Sequence, residues 1–517
     1  MNPTRRDLIK VGALGSAALA IPAIRVASAT SQNRLAQSKL PRPFTAPLTI
    51  PPVLSPVRSD AGTDFYDLTM RESLASIVPG LSTPTWGYNG ISPGPTIVVR
   101  KGRQTQMLHR NRLPATHPQL GYQAWTSVHL HGSESLPQYD GYASDITLPG
   151  QAKNYHYPNT QEARTLWYHD HGVMHTGPNA YMGLAGQYWL QDDLELSLPL
   201  PRGRYDIPLT VQDVMLTSDG TRLWNDNDES GVYGDIIVVN GQPWPVMKVE
   251  RRKYRFRILN ASVSRSFRWQ LDSGEPLVVV ATDAGFMPTP QPVRQFRHHV
   301  AERYSVVIDF AKYPIGRRVV LQNLSNKNNI DFATTKNVMA FDVTSDATST
   351  ANNTIPDVLN PDDATMLLTK DMATVTRKME FVRKHGLWTI NGKTWDDVVK
   401  SGFRQVVANP QAGTVERWTL SNPSGGWSHP AHLHLVDFKI LSRNGRPPLA
   451  HETGPKDTVY LGENETVDVL IPFKAGHLGK YMIHCHNLVH EDHDMMTQFE
   501  VGTGGDDPFS DPAHLDS

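Results

Sequence analysis

The sequence predicts an all-β chain of three β-sandwich domains in series, on the strength of an internal repeat, strand-like periodicity and abundant turn residues. Asn-Gly pairs follow apolar residues at Trp86-Gly87-Tyr88-Asn89-Gly90, Val238-Val239-Asn240-Gly241 and Trp388-Thr389-Ile390-Asn391-Gly392, and asparagines 89, 240 and 391 stand 151 positions apart both times. Each pair precedes a second strand-like segment ending at asparagine: Met107-Leu108-His109-Arg110-Asn111, Phe256-Arg257-Ile258-Leu259-Asn260 and Arg417-Trp418-Thr419-Leu420-Ser421-Asn422. Alternation such as Tyr254-Arg255-Phe256-Arg257-Ile258 has period two, the signature of a strand with one buried face. With 38 glycines and 39 prolines punctuating such segments, sandwiches are the natural packing.

In chain order, residues 1–29 read as an export signal, with a charged start (Arg5, Arg6, Lys10), an apolar stretch from Val11 to about Ile24, and Ala27-Ser28-Ala29 as a small-x-small cleavage site. The paired Arg5 and Arg6 followed by Leu8 and Lys10 resemble a bacterial twin-arginine leader, which implies passage of an already folded protein through the twin-arginine export machinery into the periplasm or beyond. Domain one is expected over 45–200, domain two over 205–345 and domain three over 365–503. The joints fall near Leu198-Pro199-Leu200-Pro201-Arg202-Gly203 and in the polar stretch 344–363. Residues 504–517 read as a flexible tail.

Composition narrows the function. At 517 residues, 39% hydrophobic and 20% charged, with a net charge of -1, the chain has the make-up of an ordinary soluble protein and lacks the basic footprint of a nucleic-acid binder. The leader apart, no membrane insertion is expected. A single cysteine, Cys485, excludes an intramolecular disulfide. A lone thiol in an exported protein is either buried and inert or committed to chemistry.

Ten of the 21 histidines fall in four short clusters: His129-Leu130-His131-Gly132, His169-Asp170-His171, His429-Pro430-Ala431-His432-Leu433-His434, and His484-Cys485-His486 with His490. In a strand, i and i+2 share a face, so each His-x-His projects two imidazoles the same way. Two clusters lie in the first repeat and two in the third, whereas His298 and His299 of the second are adjacent and would diverge. Metal is therefore expected in domain three and at the junction of domains one and three, with domain two as a spacer. His298, His299 and His493 read as solvent-facing or hydrogen-bonded, and Met496 as core. His-Cys-His places the thiol opposite its flanking imidazoles, so they serve different centres. Cys485, His490 and Met495 with His429 supply the thiolate, imidazole and thioether set of a blue-copper site. The other eight histidines suit a multinuclear copper cluster better than zinc, whose structural sites want more thiolate and catalytic sites fewer histidines.

These four motifs resemble the complete signature of the multicopper oxidases, over roughly 51–501. They are most similar to the bilirubin oxidase and spore-coat-type laccase branch, through Ser127-Val128-His129-Leu130-His131-Gly132-Ser133, Arg164-Thr165-Leu166-Trp167-Tyr168-His169-Asp170-His171, Lys253-Tyr254-Arg255-Phe256-Arg257 and the run from His484 to Met496. The resemblance implies three cupredoxin-like Greek-key sandwiches and four copper ions. Type 1 copper would be held by His429, Cys485 and His490 with Met495 axial, and type 2 by His129 and His432. The type 3 pair would be held by His131, His169, His171, His434, His484 and His486. It further implies oxidation of phenols, aromatic amines or bilirubin-like tetrapyrroles coupled to reduction of dioxygen to water. Asp140 and Glu491 match acidic residues that deliver protons in such enzymes, and Trp427, two residues before His429, matches a donor-contact position. A cuprous oxidase for copper tolerance ranks lower because the 15 methionines are dispersed. A non-catalytic cell-division scaffold of the same fold ranks lowest, because relatives of that kind have lost the ligands present here.

Overall fold

The computed structural model describes residues 33–516; the leader read at 1–29 lies outside the described residues. Six sheets pair into three sandwiches along the chain. In the first, a six-stranded sheet holding Thr63–Ala75, Gln104–Arg112 and Gln151–Tyr157 packs on a four-stranded sheet ordered Ile97–Arg100, Ala185–Gln191, Arg164–Asp170 and Val128–His131. The second pairs a seven-stranded with a five-stranded sheet. The third sets a five-stranded sheet against Thr458–Leu461, His429–Leu433, Gly479–Cys485 and Met496–Val501. Each encloses its own core, around Trp86 and Tyr188, around Phe256 and Trp269, and around Trp388 and Trp418. Among the described residues no helix is long and apolar enough to cross a membrane.

The Asn-Gly repeat has one structural meaning in all three sandwiches. Asn89, Asn240 and Asn391 adopt φ of 55°, 49° and 53°, and the glycines after them 73°, 79° and 70°, the left-handed pair a tight hairpin turn demands. Each asparagine also closes on its domain's first long strand by donating its backbone N–H and accepting with its side-chain oxygen at a single residue. That residue is Thr69, Thr210 or Glu380. The first strand in turn runs parallel to the segment ending in the second asparagine, pairing Thr63–Ala75 with Gln104–Arg112, Asp206–Val214 with Lys253–Asn260 and Ala373–Lys384 with Thr414–Ser421. Asn111, Asn260 and Asn422 then each accept the N–H two residues on and donate to two distant carbonyls, pinning the loop that follows. The repeated residues are therefore those whose side chains substitute for missing backbone partners at turns.

Two segments outside the sandwiches are held in place, and for the second this changes the expectation. The polar connection after residue 344 is strapped to the middle sandwich, where the Arg252 guanidinium donates to the carbonyls of Ser349, Ala351 and Asn352. The tail from 504, expected to be flexible, is laid back along the molecule. His514–Leu515 adds to the edge of Gln151–Tyr157, Asp516 pairs with Arg110 and Arg112, and the Phe509 ring meets Tyr142 at 5.4 Å and Phe403 at 5.0 Å. Its glycines and aspartates carry no local periodicity, and long-range partners such as these, with Gln138 donating to Asp506, hold it in place. Phe509→Ala should destabilise the protein by about 1–3 kcal/mol, the usual range for losing a partly buried aromatic. This would be read as a lower midpoint of the first urea unfolding transition; an unchanged midpoint would show that the tail contributes nothing.

Candidate metal centre

Antiparallel pairing decides where the histidines go. Val128–His131 lies against Arg164–Asp170 with His129 opposite His169, and His429–Leu433 lies against Gly479–Cys485 with His432 opposite His484. Strand alternation turns both pairs inward, and the two sheets face each other across the junction of domains one and three. The His129 ring stacks on His434 at 3.9 Å and His131 on His432 at 3.7 Å, His171 meets His484 edge-on at 4.8 Å, and His486 lies 5.1 Å from both His131 and His169. All eight are buried. The ligating atoms of His129, His131 and His169, of His129, His432 and His434, and of His171, His434 and His484 each fall within 4.8 Å of one another.

The nitrogens of these rings divide into two sets. One set is tied down: Nδ1 of His129, His169 and His432 donates to the carbonyls of Asp140, Asp170 and Asp457. Nε2 of His131 lies 3.1 Å from Asp457 Oδ1, Nδ1 of His434 2.7 Å from Asp140 Oδ2, and Nδ1 of His484 2.9 Å from Glu491 Oε2. The other set points into the cluster. Nε2 of His129, His169 and His432, Nδ1 of His131, and both nitrogens of His486 have no hydrogen-bond partner among the described residues. The Nε2 atoms of His171 and His434 face that of His484 at 3.3 and 3.2 Å. Burial pushes the pKa of His171 down to about 4 and those of His129, His131, His169, His432, His434 and His486 well below the usual range, so these rings present neutral lone pairs. A buried polar atom left unpaired costs about 1–3 kcal/mol. Converging lone pairs whose opposite nitrogens are fixed by carbonyls and carboxylates are the donor arrangement of a metal site with its outer hydrogen bonds in place.

A second cluster lies beside it in domain three. His429 Nδ1 is 3.3 Å from Cys485 Sγ and 3.2 Å from His490 Nδ1, and Cys485 Sγ is 3.5 Å from His490 Nδ1. Burial pushes the thiol pKa up and lowers that of His429 to about 3. The chain then folds back so that Met495, wholly buried, donates its N–H to the His490 carbonyl and accepts the Cys485 N–H. One thiol and two imidazoles, with a buried methionine folded back beside them, fit copper. Cys485 belongs to this cluster while His484 and His486 face the other, as strand alternation requires.

Both singled-out carboxylates are buried at the larger cluster. Asp140 holds one ring from each domain, His129 through its carbonyl and His434 through its carboxylate, and burial pushes its pKa well up. Burial acts on Glu491 the same way, but His484 and His171 beside it, the latter 3.4 Å away, bring its pKa below the usual value. Trp427 lies one ring further out than expected. The tryptophan on the histidines is Trp388, stacked on His490 at 3.8 Å and 5.8 Å from His429, and Trp427 meets Trp388 edge-on at 5.1 Å. Trp388 was visible in the sequence only as part of an Asn-Gly turn signal. His298 and His299 are hydrogen-bonded, to Trp269 and the Glu302 carbonyl and to Ser428 respectively; both are fully buried, and neither belongs to a group of converging ligand atoms. Sequence reasoning passed over Asp457 altogether.

Multicopper oxidase family models match residues 69–195, 191–345 and 368–505. The chain belongs to the multicopper oxidases, oxidoreductases that use dioxygen as acceptor, and its domains are the cupredoxin-like sandwiches expected. Among its relatives are the bilirubin oxidase of Albifimbria verrucaria, 41% identical over 89% of this chain and 81% of that protein, and the laccase of Bacillus stratosphericus, 33% identical over 89% and 99%. The crystal structure of a laccase from Pediococcus acidilactici superposes with a TM-score of 0.79 at 28% identity, covering 90% of this chain and 95% of that one.

Proposed function

We propose that this enzyme oxidises small organic donors at one end of domain three and delivers their electrons to dioxygen at the junction of domains one and three. The observation that carries the reading is the placement of Cys485, with its thiol in one cluster and the imidazoles of its sequence neighbours His484 and His486 in the other. Four bound copper ions would supply the electron transfer and the reduction of dioxygen to water: type 1 at His429, Cys485, His490 and Met495, type 2 at His129 and His432, and a type 3 pair at His131, His169, His171, His434, His484 and His486. Donor and acceptor are thus kept apart but joined by covalent bonds of a single strand. That separation suits single-electron donors paired with a four-electron acceptor. Phenols, aromatic amines and bilirubin-like tetrapyrroles are the donor classes, by similarity to proteins named as laccases and a bilirubin oxidase. Trp388 and Trp427 form the aromatic approach from the surface to His490. Asp140 and Glu491, whose carboxylates lie 2.7 and 2.9 Å from ring nitrogens of His434 and His484, would pass on the protons that reduction of dioxygen consumes. The leader makes the periplasm or the cell exterior the place of action.

Oxygen uptake by copper-loaded protein should follow addition of a phenol, an aromatic amine or bilirubin. Cys485→Ser should lose both the blue absorption band and this uptake; a colourless wild type without uptake on any such donor would sink the reading. Asp140→Asn and Glu491→Gln should lower kcat about 10²- to 10⁴-fold, the range for a missing proton donor. Donors should still bleach the blue band in these variants without oxygen, and an unchanged kcat would remove the carboxylates from the proton path. Replacing both Arg5 and Arg6 by lysine should strand the protein inside the cell on fractionation, whereas undiminished export would exclude the twin-arginine route.

A further inference from the structure

The middle domain contributes no histidine to either cluster among the described residues, yet its Arg303 reaches the larger one. Its guanidinium lies wholly buried where the three sandwiches meet, and all five of its N–H groups are used. Nε donates to the Thr165 carbonyl of domain one, on the strand that carries His169 (2.9 Å). Nη1 donates to the Ala301 carbonyl (3.1 Å) and Nη2 to that of Asp283 (3.0 Å), both in domain two. The remaining two form a fork on the Asp457 carboxylate of domain three at 2.7 and 2.5 Å. Asp457 in turn touches two of the proposed ligands, His131 through Oδ1 and His432 through its carbonyl. Lys456 before it is clamped by Asp283 and Glu302 of domain two at 2.8 and 2.9 Å.

The glycine of the His129-x-His131-Gly132 motif belongs to the same arrangement. Its φ is +88°, and a Cβ there would lie 2.6 Å from Arg303 Nη2 and 2.7 Å from Asp457 Oδ2. The motif thus leaves room beside its second histidine for this ion pair. A buried arginine with every donor satisfied fixes its carboxylate partner in both position and rotation.

We propose that Arg303 and Asp457 are positioning residues for the type 2 and type 3 copper ligands, so that the middle domain sets the geometry of a cluster it does not ligate. This rests on the reading of the eight histidines as a trinuclear copper site. Outer hydrogen-bond partners of metal ligands typically change metal affinity about 10- to 100-fold when removed.

The test compares copper-loaded wild type with Arg303→Ala, Arg303→Lys and Asp457→Asn, reading total copper per chain, the blue type 1 band and the type 2 electron paramagnetic resonance signal. The type 1 band serves as an internal control because its ligands do not touch the pair. Arg303→Ala and Asp457→Asn should keep the blue band and bind type 2 and type 3 copper about 10- to 100-fold more weakly, with an altered type 2 signal. Arg303→Lys should fall between, having the charge without the fork. Should Arg303→Ala not fold, the near-isosteric Asp457→Asn and the charge-preserving Arg303→Lys carry the comparison. Full copper with an unaltered type 2 signal in Asp457→Asn would overturn the proposal, as would joint loss of blue band and type 2 signal in every variant, which would assign the pair to folding alone. A wild type that shows the blue band but never binds type 2 copper would instead defeat the trinuclear reading, and is told apart by appearing without any mutation.

Discussion

The alternation of side chains along Gly479–Cys485 and the residues just beyond it is the constraint on which the rest of this molecule depends. A thiol and two imidazoles on consecutive residues cannot share a face, so two clusters must lie on opposite sides of one strand, each needing its own second wall. The wall facing Cys485 is supplied within domain three by His429 and the turn carrying His490 and Met495. The wall facing His484 and His486 cannot come from the same sandwich, because its core occupies the thiol's side. Domain one supplies it, and the junction between first and third domains follows from the chemistry of one tripeptide.

Such a junction collects groups that are costly to bury alone. Eight imidazoles with converging ring nitrogens gain little from packing, and the carboxylates that steady them are themselves desolvated. The structure resolves this by giving most outward ring nitrogens a named oxygen and by placing one of those anions, Asp457, against an arginine with no unused donor. Aromatic rings then exclude water: Trp167 stacks on His169 at 4.1 Å and Trp388 on His490 at 3.8 Å.

What was legible in the sequence is what has local period or local chemistry. The Asn-Gly turns were legible because φ > 0 selects those residues, and the His-x-His pairs because strand alternation acts within three positions. Asp140 and Glu491 could be singled out through their nearness to motif histidines and through family resemblance, although nothing local separates a buried carboxylate from a surface one. Asp457 and Arg303 left no such mark, since their meaning is a contact 154 residues apart in the chain. The tail was misjudged for the same reason: glycines and aspartates look mobile until their partners, here Arg110 and Arg112, are in place. Trp427 and Trp388 show a third kind of limit, because proximity in sequence to His429 chose the first, while a hairpin much earlier in the chain brings the second onto His490.

The middle sandwich illustrates how a domain can shape a site to which it gives no ligand. A two-walled cluster is only as well defined as the docking of its walls, and inter-domain surfaces move relative to one another unless something specific locks them. Hydrophobic contact alone would permit small slides between domains one and three, and a metal site tolerates misplacement of only a fraction of an ångström. A directional, fully satisfied arginine fork bound at once to a carbonyl of domain one and a carboxylate of domain three removes that freedom at the point where the ligands of both meet. The absence of proposed ligands from the second repeat and the presence of Arg303, Asp283 and Glu302 there are then two sides of one division of labour: two domains hold the proposed metal ligands and the third holds those two in register.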